Sequence, residues 1–333
     1  SISLISILFL IFCFKKKNFS YFKNKYFYIF LIYWFYLMFN SLINNFNIDS
    51  FKISFFYFRY GVFVIAIAAL LDIDYRFIKY FFYCIFICFI ILIFDGFYQF
   101  FHGKNILGYQ TPNSFRVSSF FKDEMILGSY LSRLWPIFFG LSIFIFKKKN
   151  KLFGVFILTF ILSEALIFLS GDRSAFFFIN LSAIFVVLFS QKLKKLRLFT
   201  LFSSLLIIIA INFFNPVAKE RVFDQTLNQM NLVGKENKNN KEQIYVFSKT
   251  HHEIYTSAIK MFLDNRIIGI GVKNFRNKCF ERKYYVNDKK ICFNHPHNTY
   301  IQILTETGLI GFLFLVTILF IFCKHIISHV LEK

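Results

Sequence analysis

Long apolar runs, set apart by short clusters of lysine, constrain this chain more than any other feature. The runs cover 1–14, 26–43, 55–71, 80–97, 125–146, 152–170, 174–190, 198–214 and 299–323. Most have about the length of helix that crosses the hydrocarbon core of a bilayer. Backbone in lipid must satisfy its own N–H and C=O groups, which favours helices for runs of this kind. Of 333 residues, 57% are hydrophobic and 22% aromatic, and mean hydropathy is +0.55. A water-soluble fold of that composition would expose apolar patches with too little polar surface to cover them. The expected fold class is all-α, a polytopic integral membrane protein with about nine transmembrane helices.

The connectors alternate in character. Lys15–Lys17 with Lys23 and Lys25, Arg76 with Lys79, Lys147–Lys149 with Lys151, Lys192 with Lys194, Lys195 and Arg197, and Lys324 all fall on one side. The excess of lysine and arginine marks that side as cytoplasmic. A net charge of +21 would suggest nucleic-acid binding in a soluble protein. Between apolar runs it sets topology instead, so membrane lipid is expected as a partner and nucleic acid is not. The organisation expected is 1–214 as membrane helices with short loops, 215–298 as a large outer loop, 299–323 as a final span and 324–333 as a cytoplasmic tail. The chain opens with Ser1 inside an apolar run and shows no signal peptide. It reads as a fragment or trimmed product, with further spans expected upstream.

The outer face receives 44–54, 98–124, the tight turn around Ser170–Ser174 and the loop 215–298. Within that loop Leu232–Gln243 is polar and reads as a linker. Ile254, Ala258, Met261 and Phe262 recur at helical spacing and predict an amphipathic helix ending near Asp264-Asn265. Gly269-Ile-Gly271 predicts a turn. Cys13, Cys84, Cys88 and Cys323 lie in apolar runs as small fillers. Cys279 and Cys292 fall in the outer loop and are expected to form a disulfide in an oxidising periplasm.

The chemistry-bearing residues gather on this same face. His297-Asn298 stands at the mouth of the last apolar run, followed after nine residues by Gly308 and Gly311. Imidazole is the side chain best suited to proton transfer near neutral pH. Asn298 suits a helix cap, Glu306 follows on that helix, and the glycine pair permits close helix packing. His295, across Pro296, is placed to orient its neighbour. Arg173 lies in Ser170-Gly-Asp-Arg-Ser174, a turn with almost no loop, where a guanidinium offers a fork of donors matching phosphate. Arg116, Lys122, Asp123 and Arg133 are weaker candidates to line a polar site. His251-His252 precede the amphipathic helix, and Arg266 and Arg276 follow it. No metal-ligand spacing is present, so no metal or cofactor is expected. Asp72-Ile-Asp74 reads as a cluster of charges at a helix end.

These motifs resemble the O-antigen ligase and O-antigen polymerase superfamily of bacterial envelope enzymes, from about residue 55 onward. His297-Asn298 with Gly308-x-x-Gly311 resembles the ligase signature. The Arg173 turn resembles the family's arginine motif, with Phe177 where ligases usually carry Leu. Gly269-Ile-Gly271-Val-Lys-Asn-Phe275 resembles the glycine-rich turn before the histidine motif. Family members commonly place a second arginine just before the amphipathic helix. Here His251-His252 hold that place, so His252 substitutes for it, or Arg266 or Arg276 reaches in, or the activity is altered. The resemblance implies transfer of a glycan from undecaprenyl diphosphate to an acceptor sugar hydroxyl, lipid A-core for a ligase, without a metal. It places the site in a large periplasmic loop at the bacterial inner membrane. It implies His297 as general base, Arg173 as the clamp on the diphosphate, and Arg116, Lys122, His252, Arg266, Arg276, His295, Asn298 and Glu306 as substrate-binding.

A polymerase joining repeat units is the alternative enzyme, and a protein-glycosylating oligosaccharyltransferase of the same superfamily is the third. A polytopic transporter would instead carry ionisable residues deep in its spans, where Arg59 and Glu164 are almost the sole candidates.

Overall fold

The computed structural model describes residues 2–44, 47–112, 116–145, 153–189, 191–214, 220, 224–230, 245 and 248–331. Helix accounts for 78% of the structure, and no strand occurs among the described residues. The long helices are α1 (Ile2–Lys16), α2 (Lys25–Ile43), α3 (Ile48–Phe56), α4 (Phe58–Ile73), α5 (Phe77–His102), α6 (Leu127–Ile145), α7 (Phe153–Leu169), α8 (Arg173–Phe189) and α9 (Gln191–Phe214). They are followed by short α10 (Gln225–Gln229), α11 (Lys249–Asp264), short α12 (Phe275–Lys278) and α13 (Thr299–Leu331). Five stretches among the described residues are long and apolar enough to cross a membrane: Lys25–Ile43, Ile48–Ile73, Phe77–His102, Leu127–Ile145 and Thr299–Ser328. Gly154–Leu169 and Arg173–Leu188 are apolar but shorter. The Lys147–Lys149 connector and the Leu232–Gln243 linker lie outside the described residues.

The chain packs as two compact units, Ser1–Asp74 with Tyr245–Lys333, and Tyr75–Ile244. In the first, α1 lies on α4, and Phe9, Cys13, Phe27, Val62, Ile65, Ala66 and Ala69 form its core. Asn24 and Asn47 cap α2 and α3 by accepting from Tyr26 N and Asp49 N, both at 2.9 Å. The segment 44–54, expected as a connector, folds largely into α3. The chain turns from α3 into α4 at Tyr57. There the Trp34 indole donates to the carbonyls of Ser54 and Phe55 at 3.1 and 3.0 Å, satisfying groups a helix end leaves open. A second core lies against α11, where Ile254, Ala258 and Met261 pack on Ile270, Phe275 and Tyr284. Ser248 begins that helix and Asn265 ends it.

The second unit is built on aromatic packing. Phe82, Phe89, Trp135, Phe138, Phe156 and Phe160, from α5, α6 and α7, are fully buried and interlock at ring distances near 5 Å, as between Phe138 and Phe160 at 4.9 Å. Gly96 lets α5 approach α7, since a Cβ there would lie 2.6 Å from Leu166. The cytoplasmic connector expected around Lys192–Arg197 is instead the start of α9, and Arg197 is fully buried. Its guanidinium pairs with Glu164 of α7, donates to Thr200 Oγ1 at 3.0 Å and stacks 4.3 Å over the Trp135 ring. Ser204 Oγ donates to the other carboxylate oxygen at 2.5 Å. A reading from sequence sees Arg197 as one more basic residue of a lysine cluster, because its partner lies far away along the chain.

Removing one member of a buried pair strands the other charge. Glu164→Ala is therefore expected to destabilise the protein by about 3–5 kcal/mol. The double change Glu164→Gln with Arg197→Met recovers most of that loss. Thermal unfolding of the detergent-purified variants measures both.

Candidate active site

The first candidate cluster forms where α11, the Gly269–Phe275 turn and the start of α13 meet. The last helix is not continuous. At Gly308 its backbone turns to φ 64, ψ −166, outside the helical region. The break is stitched to the turn after α11 by four backbone bonds. Ile270 N donates to Thr305 O at 3.0 Å and Gly271 N to Glu306 O at 2.9 Å, while Leu309 N donates to Arg266 O at 2.8 Å and Ile310 N to Ile267 O at 3.2 Å. Only glycine fits this crossing. A Cβ on Gly308 would lie 2.3 Å from Ile267 O, and one on Gly269 would lie 2.5 Å from Gly308 N. Both glycines also have positive φ.

Side chains of α2 and α3 brace the same crossing. Tyr36 donates to Thr307 O at 2.5 Å, Asn40 donates to Ile268 O, and Ser50 Oγ donates to Val272 O at 2.6 Å. These bonds take up carbonyls that the interruption and the turn leave without ladder partners. Glu306 is buried at the crossing and accepts from Gln302 Nε2 at 3.1 Å. Its position is that of a brace for the turn.

Above the crossing, Asn298 Oδ1 caps α13 by accepting from Tyr300 N and Ile301 N at 3.0 and 3.1 Å. A disulfide joins Cys279 to Cys292, with Cα atoms 5.2 Å apart, and ends the loop one residue before Phe293. Pro296 is buried and His297 is exposed with φ 58. His295 Nδ1 accepts the His297 backbone N–H at 3.0 Å, so the neutral His295 ring carries its proton on Nε2. The two rings are 4.3 Å apart. Burial, then His297, then the Lys273 ammonium hold His295 below the ordinary imidazole range.

The structure brings a second imidazole to this place. The His251 ring lies 6.1 Å from that of His297, and its Nδ1 is 2.8 Å from Ser248 Oγ. His252 is exposed and faces Tyr245, with ring centroids 5.5 Å apart. The helical period separates the two: His251 lies four residues before Tyr255 and seven before buried Ala258, on the packed face of α11. Arg266 sits just past α11, with Nε on Leu263 O at 3.2 Å, and Arg276 lies exposed on α12.

The second cluster belongs to the other unit. Gly171 has φ 63, and Asp172 Oδ1 caps α8 by accepting from Ser174 Oγ at 2.8 Å and Ala175 N at 3.1 Å. Arg173, the first residue of α8, reaches α10. Its Nη2 donates to Gln229 Oε1 at 2.8 Å and its Nη1 to Thr226 Oγ1 at 3.3 Å. Arg116 crosses the same turn, with Nε donating to Ser170 O at 2.8 Å. The Lys122 ammonium stands 4.6 Å over the Tyr109 ring, and Arg133 is exposed on α6. Two guanidinium groups at one helix N-terminus favour an anion. Among the described residues no group of three or more His, Cys, Asp or Glu side chains could hold a metal ion.

An all-helical membrane protein with a cationic turn at a helix N-terminus and a histidine cluster over a broken helix is the class these features define. Residues 153–316 match the family described as O-Antigen ligase, a match that supports the O-antigen ligase superfamily, whose members are glycosyltransferase-like enzymes. The matched stretch starts at α7, well after residue 55, and includes both Arg173 and His297. No curated protein and no solved structure matches the chain.

Two outcomes test this geometry. Gly308→Ala adds a Cβ against backbone at positive φ and is expected to destabilise by at least ~1–3 kcal/mol. Gly311→Ala meets the Thr307 side chain, Oγ1 at 2.0 Å and Cβ at 2.4 Å, without backbone contact or positive φ, and is expected to cost less; thermal unfolding ranks the two. His295 has a depressed value, so its neutral form persists as pH falls past the ordinary imidazole range. The stability of its contact is complete above that range and is lost as pH falls towards the depressed value. Lys273→Gln removes one cause and raises the His295 value, which histidine-selective NMR titration detects.

Proposed function

We propose that the chain transfers a glycan from undecaprenyl diphosphate to an acceptor sugar hydroxyl, lipid A-core in the ligase reading, at the periplasmic face of the bacterial inner membrane. The observation that carries this reading is the family match across 153–316, which encloses both polar clusters. The ligase-type spacing from His297 to Gly308 and Gly311 favours ligation over polymerisation of repeat units. A transporter reading is not favoured, since the buried Glu164 carboxylate is engaged by Arg197 and Ser204.

In this reaction the acceptor oxygen attacks the anomeric carbon, and the bond from that carbon to the donor phosphate oxygen breaks. The electron pair leaves with the diphosphate, and attack from the opposite face inverts the centre. His297, exposed at the mouth of α13, takes the acceptor proton. His295 fixes the His297 backbone, and Asn298 fixes the start of the helix below it. Arg173 and Arg116 neutralise charge as it develops on the leaving diphosphate. Lys122, His252, Arg266 and Arg276 supply further positive or polar groups to donor and acceptor. Inorganic help is unnecessary to this scheme, because guanidinium groups carry the anion's charge.

His297→Ala is expected to lower transfer by about 10²–10⁴-fold, the usual contribution of a general base. Arg173→Ala is expected to abolish detectable ligation with the protein still present in the membrane. Silver-stained lipopolysaccharide from a ligase-null strain carrying each variant reads this out, and normal ladders from both variants overturn the assignment. Loss of a ligase leaves polymer on the carrier lipid, whereas loss of a polymerase leaves single repeat units attached.

A further inference from the structure

Two polar side chains near the end of the most apolar span in the second unit have no role in the reaction just described. Asp95 and Gln99 lie one turn apart on α5, on one face, and both are fully buried. A carboxylate in an apolar helix is costly and is kept where it has partners and a task. Every acceptor of this pair is occupied. Asp95 Oδ1 accepts from Ile106 N at 2.9 Å, and Oδ2 accepts from Ser119 Oγ at 2.5 Å and Asn105 Nδ2 at 3.4 Å. Gln99 Oε1 accepts from Ser118 N and Ser119 N at 2.9 and 2.7 Å, while its Nε2 donates to Tyr109 O at 3.2 Å.

These bonds hold the loop after α5 in a conformation it would not choose alone. Ser119 has φ 52 and Lys122 has φ 55, a region that costs non-glycine residues of order 1–3 kcal/mol each. On its other side the same segment is tied to the end of α7 and the turn before Arg173. Val117 N donates to Leu169 O at 3.2 Å, and Arg116 Nε donates to Ser170 O. The charged side chains of 116–122 are Arg116 and Lys122. The strained segment thus runs from a buried polar anchor to the cationic turn.

We propose that Asp95 and Gln99 are positioning residues for the diphosphate site: they anchor Asn105–Tyr109 and Ser118–Ser119 so that Arg116 lies across the Ser170–Arg173 turn. This rests on the reading that Arg116 and Arg173 take the donor diphosphate.

The test uses the full chain purified in detergent and undecaprenyl diphosphate without a sugar as the probe. Asp95→Ala is expected to weaken binding about tenfold and Ser119→Ala about threefold, in keeping with loss of buried, partly charged hydrogen bonds. Asp95→Asn, which keeps an acceptor oxygen, restores most of the affinity. In an Arg116→Ala background the Asp95 and Ser119 changes add nothing further, the non-additivity expected of residues that act through one another. A purely structural role gives losses that add in full to that of Arg116→Ala, and that result overturns the proposal. Should Asp95→Ala not fold, Ser119→Ala removes a single hydroxyl and carries the same cycle. Unchanged binding in the Asp95 and Ser119 variants overturns this inference alone. Unchanged binding in Arg116→Ala and Arg173→Ala overturns the diphosphate reading and this inference with it.

Discussion

The histidine cluster depends on four backbone hydrogen bonds between an interrupted helix and a glycine turn. At membrane level a broken helix is tolerated only where protein satisfies the freed peptide groups. Here the Arg266–Gly271 segment supplies donors to Thr305 and Glu306 and takes donors from Leu309 and Ile310. Tyr36, Asn40 and Ser50 donate to the carbonyls of Thr307, Ile268 and Val272. The glycines matter because the two backbones touch, and Glu306 fills the space beside them. His297 then inherits its position from Asn298, Pro296 and the disulfide, all of which are built on that crossing.

The second unit solves a related problem with buried polar groups. Arg197 with Glu164 joins α9 to α7, and Asp95 with Gln99 joins α5 to the loop that bears Arg116. Both sets sit among phenylalanines, where an unpaired polar atom is costly and a paired one is held to a narrow geometry. Aromatic packing supplies the bulk of contact, and the polar pairs add directional bonds between helices. The polar pairs select a single arrangement.

Much of the helical frame was legible in the sequence because long apolar runs report directly on helices. The amphipathic α11 was legible too, since Ile254, Ala258 and Met261 recur at its period. Other features depend on partners remote in the chain. Arg197 stood in a basic cluster and read as a connector until Glu164 was seen beside it. Asp95 and Gln99 passed unnoticed in an apolar run, since their partners lie in a loop whose path the sequence does not show. Gly308 read as a small residue for helix packing, whereas its positive φ and the touching turn make it a break. Of the neighbouring histidines, His252 was one of the candidates, with Arg266 and Arg276, to stand in for a missing arginine. Helical phase turns His251 instead towards His297.

The interruption in α13 also has a mechanical meaning. Spanning helices tilt to match the thickness of the surrounding lipid. In a continuous rod, such tilt would swing the top of the helix sideways in proportion to its length. With the rod cut at Gly308 and lashed to α2, α3 and α11 at that level, tilt of the lower segment is absorbed at the cut. The short upper segment from Thr299 to Thr307 is bonded to the Gly269–Gly271 turn and to Tyr36, so the start of the helix next to His297 takes its direction from those contacts and not from the span below Gly308.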